Sequence, residues 1–315
     1  MREDRELLHT IVTVVLADPR PDGGVEAAFD DAFQVFSDID ETMNEWRPGS
    51  ALGKINAGAG GAPIEAPAPL CEVLRLSLDG ARKTGGLFDP TWAALRDVWR
   101  FSDDEPPRVP SAAEVKAACA LVGSKGVVLS PTAHGRCTVK LARPGMRLGL
   151  GGVVKGWGVD QAAARLRARG FRNFFIQAGG DLYFAGKNGG RSWRAGIRDP
   201  RGPPEQVFAR LELSDQAFST SGDYEHFFLV DQVRYHHLID LRTCFPAKAS
   251  RSVTVLAPSA TDAEFLTKAA FVLGGDAGLA LVERLGAQAV IVDADNQVHV
   301  SKGLEGRLSH SQPTP

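Results

Sequence analysis

The sequence predicts an α+β fold in which helices pack on antiparallel sheets. One observation is the stretch from Asn173 to Ala257, where strand-like runs alternate with turn chemistry and no helical period intervenes. This reads as a meander rather than a series of βαβ units, which argues against a Rossmann sheet. A second is the set of amphipathic helical stripes that lie before and after that stretch. The third is composition: 315 residues, 43% hydrophobic and 23% charged, supply ample material for a core. The net charge of −2, with no basic block interleaved with aromatics, argues against nucleic acid or an anionic membrane as partner.

Each element follows from local pattern. Residues 10–17 have the β-branched composition of a strand. In "GVEAAFDDAFQVFSDIDETMNEW" (24–46), Val25, Phe29, Phe33, Phe36, Ile39 and Met43 share one helical stripe, which reads as core. Residues 47–69 are glycine, proline and alanine punctuation and read as an exposed loop. A helix is predicted from Leu70 to Lys83, stopped by Gly85-Gly86, and another after a capping Ser111, beyond a loop at 102–111. Strands near 126–130, 136–141 and 146–150 lead to a helix over Lys155–Arg169. After the meander come helices at 260–273 and 276–285 and a hairpin at 288–293 and 297–301. A single domain is expected over 1–305, with 306–315 as a disordered tail.

The apolar run at 7–17 is too short to span a bilayer, and its "REDRE" flank is not that of a signal peptide. As given, the chain reads as cytoplasmic; a chain trimmed of a leader would look the same and would be periplasmic. Cys71, Cys119, Cys137 and Cys244 are scattered without CxxC or metal-ligand spacing, and are expected to be buried or idle thiols.

Chemistry concentrates at "GLGGVVKGWGVD" (149–160), where Gly149, Gly151 and Gly152 precede a helix and Lys155. The spacing is neither that of a P-loop nor that of the dinucleotide fingerprint. Bare amides, a helix N-terminus and a lysine nevertheless favour an anion. Four more segments accompany it: "MNEWRPGSALGKIN" (43–56), "TGGLFDPTWAALRDVWRF" (84–101), "IQAGGDLYFAG" with "SGDY" (176–186, 221–224), and "YHHLIDLRTCFP" (235–246). In this order, over residues 7–300, they resemble the ApbE family, the FAD:protein FMN transferases.

The resemblance implies an ApbE-like flavin transferase fold, FAD as the flavin donor and a partner protein carrying a Ser/Thr acceptor hydroxyl. It places Leu8, of Leu8-His9-Thr10, at a methionine that touches FAD, and Trp46 at a flavin-contacting tyrosine. It makes Leu87, Phe88 and Asp89 line the FAD site, together with the loop of Gly149, Gly151, Gly152 and Lys155. Asp181, after its glycine pair, reads as a further ligand-binding group; for Asp89 and Asp181 alike the alternative is a turn cap. The essential histidine falls at His237, suited to proton handling because imidazole titrates near working pH. His236 reads as structural, and Asp223 as either a ligand or a structural group.

Three positions depart from the family pattern. Gly149 stands where an aspartate opens the loop. In "AEFLTKAAFVLG" (263–274), Glu264 and Lys268 occupy the positions of an aspartate and a threonine that hold Mg²⁺ with a loop carbonyl, here that of Gly152. A charged lysine has no lone pair for a metal, and Asp262 and Thr267, five apart, do not share a helical face. Magnesium is therefore doubtful, with Lys268 as a cationic, catalytic substitute or, alternatively, as half of an i,i+4 pair with Glu264 on a solvated face. Two functions follow. One is transfer of FMN from FAD to a Ser/Thr hydroxyl of a target protein. The alternative is an FAD-binding carrier, sensor or scaffold that has lost transfer. The acceptor pattern D-x-x-[ST]-G-A-[ST] does not occur in this chain, so it is not its own obvious substrate.

Overall fold

The computed structural model describes residues 1–18, 24–101 and 106–310. They form two compact units, one of Met1–Asp40, Val153–Gly222 and Ala249–Pro315, the other of Glu41–Gly152 and Asp223–Lys248.

The first unit is built on an eight-stranded antiparallel sheet. Its strands, in spatial order, are β1 (Arg2–Leu7), β2 (Thr10–Leu16), β6 (Phe174–Ala178), β7 (Asp181–Ala185), β10 (Gln216–Gly222), β15 (Ser250–Ala257), β16 (Gln288–Asp293) and β17 (Val298–Val300). The polar strand β1, absent from the sequence reading, occupies the edge, where charged residues block further pairing. Central β15 is buried at nearly every position, as a strand covered on both faces must be. The expected meander is interrupted: β8 (Trp193–Arg198) and β9 (Val207–Leu213) leave the main sheet. They form a second sheet with β18 (Ser309–His310). Trp193, Ile197, Phe208 and Leu211 of that sheet pack on Phe184, Phe218, Leu256 and Val290 of the first. Ser309–His310, assigned to a tail from the sequence, thus pair with β9, while 311–315 lie outside the described residues.

Helix α1 (Gly24–Met43) buries Phe29, Phe33, Phe36 and Ile39, as its stripe requires. Helices α5 (Val154–Ala168) and α6 (Ala260–Leu273) approach each other closely at Gly156, where a Cβ would collide with the Ala260 carbonyl. Gly158 likewise leaves room for Phe36 and Ile39. The start of α6 is held by Asp160 of α5, whose carboxylate accepts from the Ala260 and Thr261 amides at 2.8 and 2.9 Å. Helix α7 (Gly275–Arg284) follows α6.

In the second unit, 47–69 is not a loop throughout. Ser50 accepts from the Gly53 amide at 2.8 Å and caps α2 (Ala51–Ala57), and β3 (Ile64–Ala66) follows. Helix α3 (Ala68–Lys83) ends where Gly85 and Gly86 turn with φ of 64° and 84°. Ser111 and Glu114 form a full capping box on α4 (Ala112–Cys119). Strands β4 (Val127–Pro131) and β5 (Cys137–Leu141) pair, with β3 on the other side of β5. The expected strand at 146–150 does not form; instead the side chain of Asn56 pairs with Leu148, donating to its carbonyl at 2.9 Å and accepting from its amide at 2.8 Å. The alternating run "RYHHLID" over 234–240 does not form one strand. Strand β12 (Val233–His236) pairs with β11 (Phe227–Val230), and β13 (Ile239–Asp240) pairs with β14 (Phe245–Pro246).

All four cysteines are paired, contrary to the expectation of thiols. Cys71 joins Cys137 and Cys119 joins Cys244, across 66 and 125 residues. Such separations carry no local sequence signal.

Candidate functional site

In the first unit, four charged residues converge. Lys155, in the first turn of α5, places Nζ 2.9 Å from Glu264 Oε1 and 3.6 Å from Asp181 Oδ2. Lys268, one turn along α6, lies 3.7 Å from the same Glu264 oxygen. Glu264 is fully buried and also accepts from the Gly156 amide at 2.8 Å, a bond the close approach of α5 and α6 permits. Asp181 is 2% exposed and accepts from Ser219 at 2.6 Å. A Glu264–Lys268 pair on a solvated face is therefore ruled out: the carboxylate lies inside.

Electrostatics follow from burial and mutual charge. Burial alone would raise the Glu264 carboxyl, but the ammonium groups of Lys155 and Lys268 hold it below the ordinary carboxylate range. Burial and then Glu264's charge push Asp181 up to about 6. Burial would depress Lys155, yet Glu264 and Asp181 outweigh it and keep that ammonium above the usual lysine value. For Lys268 burial prevails and its pKa is lowered.

A divalent cation does not fit this donor set. A hard cation needs several uncommitted oxygens. Here Glu264 Oε1 faces Lys155 and Oε2 the Gly156 amide, while Asp181 Oδ1 takes Ser219 and Oδ2 faces Lys155. Thr267 donates to the Glu264 carbonyl at 2.7 Å and pairs with Ser221 at 2.7 Å. Asp262 sits at the Ser259 cap of α6. Among the described residues no group of three or more His, Cys, Asp or Glu is arranged to hold a metal.

Leu8 lies in the two-residue turn between β1 and β2. It and His9 adopt φ of 53° and 57°, left-handed values that a β-hairpin turn of this kind requires and that glycine or asparagine usually supply.

In the second unit, the glycine loop serves the chain itself at its start. The Gly149 amide donates to the Pro90 carbonyl at 2.8 Å, and the Leu150 amide to Glu45 at 2.7 Å. A side chain at 149 would strike Ala93, Trp92 and Glu45, so only glycine fits, and the carboxylate beside the loop comes from Glu45 instead. Sequence reasoning passed over Glu45, although it sits inside the quoted "MNEW". A side chain on Gly151 would meet open space, and Gly152 is half-buried in the turn before α5.

Asp89 caps the turn that follows it. Its Oδ1 accepts from the Thr91 amide at 2.9 Å and hydroxyl at 2.6 Å, and its Oδ2 from the Ser124 amide at 2.8 Å. Neighbouring Phe88 is buried and Leu87 half-buried. Trp46 is 63% exposed, and the Arg96 guanidinium lies 3.9 Å from its ring centroid. Asp223 is buried and lies 3.8 Å from Arg234.

The two histidines stand in different surroundings. His236 is buried, its Nε2 2.9 Å from the Ala247 carbonyl, and it accepts the Leu238 amide at Nδ1. His237 places Nδ1 3.3 Å from the His226 carbonyl. A carbonyl only accepts, so Nδ1 carries the proton and Nε2 is the basic nitrogen of the neutral ring.

Comparison with known proteins gives a consistent picture. The model of the ApbE family matches residues 8–291. A Treponema pallidum protein named FAD:protein FMN transferase is 33% identical, covering 96% of this chain and 87% of the relative. A crystal structure of an ApbE protein from Thermotoga maritima matches with a TM-score of 0.87 at 30% identity, over 98% of both chains. The apo form of the Pseudomonas stutzeri flavinyl transferase ApbE matches with a TM-score of 0.85 at 26% identity, over 98% of this chain and 96% of that one. With its α+β architecture of antiparallel sheets and packed helices, the chain belongs to the ApbE family.

Proposed function

We propose that this protein is an FAD:protein FMN transferase. The observation that carries the reading is the family match over residues 8–291, with His237 at the family's histidine position and Lys155 held at the head of α5. A Ser/Thr hydroxyl oxygen of the target attacks the FMN-side phosphorus, and His237 takes up the hydroxyl proton. The pyrophosphate bond breaks, AMP leaves with the bonding pair, and FMN stays attached through a phosphodiester. Lys155 and Lys268 supply positive charge toward the phosphates, and Trp46 offers an exposed aromatic face for a ring of the dinucleotide. Asp181 keeps Lys155 in place, and the glycine loop from Gly149 to Gly152 carries the chain into α5. The carrier, sensor or scaffold alternative is not favoured, because relatives are named for transfer.

The test is incubation with FAD and an acceptor protein containing D-x-x-[ST]-G-A-[ST], read by flavin fluorescence of the denatured acceptor. Covalent fluorescence that disappears when the acceptor Ser/Thr is replaced by alanine supports the reading. FAD binding without labelling returns the protein to the carrier alternative. The compartment belongs to the same proposal. Two disulfides and no free cysteine favour an oxidising one, such as a periplasm, over the cytoplasm. Thiol labelling of the native protein before and after denaturation checks this; four reactive thiols in freshly isolated material would place it in a reducing compartment. No helix among the described residues is long and apolar enough to cross a membrane.

A further inference from the structure

We propose that Lys268 is this chain's built-in counter-charge for the FAD pyrophosphate, and that FAD binds without any divalent cation. The inference rests on the transferase reading for its ligand, and on the buried charge cluster for its chemistry.

The cluster is already neutral. Two carboxylates, Asp181 and Glu264, face two ammonium groups, Lys155 and Lys268, within 3.7 Å. A dication added here would meet both ammonium groups at close range in a partly dry site, and every carboxylate oxygen of the cluster already faces a chain donor. The two lysines are not equivalent. Lys155 bridges both carboxylates and is the pin of the cluster. Lys268 approaches Glu264 only at 3.7 Å, beyond hydrogen-bond length, and keeps 23% of its side-chain surface open. Its ammonium is thus held by charge rather than by a hydrogen bond, on a side chain that stays partly open. A compact ammonium on a flexible stem binds phosphate oxygens as a point charge, the role a bound metal would otherwise fill. Nothing else in α6 competes for that role. Thr267 is turned to Ser221 and to the Glu264 carbonyl, and Asp262 to the helix cap.

Calorimetric titration of FAD into the wild-type protein, in EDTA and again with excess magnesium, tests the proposal directly. The two dissociation constants are expected to agree within about twofold. Lys268→Thr should weaken binding about tenfold or more in EDTA, with partial recovery in magnesium, because it restores a hydroxyl beside a carboxylate. Lys268→Met, which keeps the stem and removes the charge, should weaken binding similarly and show no recovery. Wild-type affinity that collapses in EDTA and returns with magnesium overturns this inference and leaves the transferase reading standing. No FAD binding in either buffer overturns the transferase reading and the ligand proposed here with it. A Mn²⁺ titration of the FAD-free protein, followed by electron paramagnetic resonance, is independent of FAD. No stoichiometric Mn²⁺ is expected, and one equivalent that Glu264→Gln abolishes would overturn the exclusion of a cation.

Discussion

Replacing Glu264 with glutamine removes the charge that holds the cluster together while keeping its shape. The glutamine oxygen can still accept from the Gly156 amide, but its NH₂ faces the Lys155 ammonium, donor against donor. Lys155 keeps Asp181 at 3.6 Å, and Lys268 loses its 3.7 Å partner. At an effective dielectric of ~20, the attractions of Glu264 to the two ammonium groups at these distances are each ~5 kcal/mol gross. Most of this offsets the desolvation of the buried carboxylate, which the substitution also removes. Breaking a buried pair costs ~3–5 kcal/mol net, and the lysine side chains, 24% and 23% open, recover some hydration. Asp181 also relaxes: without Glu264's charge its pKa falls from about 6 toward the ordinary value, so it becomes a better partner for Lys155. The expected loss is therefore about 3 kcal/mol. Urea unfolding of wild type and Glu264→Gln at neutral pH measures it, and a carboxyl NMR titration should show Asp181 shifting downward. A loss under about 1 kcal/mol, with Asp181 unmoved, would mean that the ammonium groups are solvated and the cluster is not a coupled unit.

Three further outcomes follow. His237→Ala should slow FMN transfer by about 10²–10⁴-fold and leave FAD affinity nearly unchanged; near-normal turnover would assign the proton to another group. Reduction of Cys71–Cys137 and Cys119–Cys244 releases closures of 66 and 125 residues, with chain-entropy upper bounds of ~4 and ~5 kcal/mol, so the urea midpoint should fall in dithiothreitol. An unchanged midpoint would mean that neither bond forms in solution. The hydrogen bond to Asp293, helped by Asp276, raises His299 above its ordinary 6.5. Its stabilisation is full below about pH 6.5 and is lost as pH rises through the raised value, so His299→Gln should flatten the stability profile across that window.

The alternating runs over 173–257 and the α1 stripe were legible because burial imposes a period on sequence. Ser111 with Glu114, and Gly85-Gly86, marked helix ends because capping demands particular side chains and a positive φ. Strand β10 was not legible: "QAFSTSG" is rich in small polar residues whose hydroxyls serve Asp181 and Thr267, so it lacks the apolar alternation of a strand. The departure of β8 and β9 from the main sheet depends on packing between sheets, which alternation does not encode. Within the site, motif order brought out Lys155, Asp181, Glu264 and Lys268, but not their mutual distances. Asp160 and Glu45 were missed because each acts on backbone amides far along the chain, at Ala260 and Leu150. The hydrogen bonds of Asp89 to Thr91 and Ser124 were not legible for a related reason: a cap and a ligand look alike when only "GGLFD" is visible.

The central claim, that this chain transfers FMN rather than merely holding FAD, is tested most directly by counting AMP. Purified protein is supplied with FAD and increasing amounts of an acceptor bearing D-x-x-[ST]-G-A-[ST]. AMP is measured by chromatography, and the acceptor by intact mass. Transfer gives one AMP per flavinylated acceptor, with release that stops when acceptor is exhausted. FAD that remains intact with every amount of acceptor, or AMP released with no flavin on the acceptor, would contradict the account.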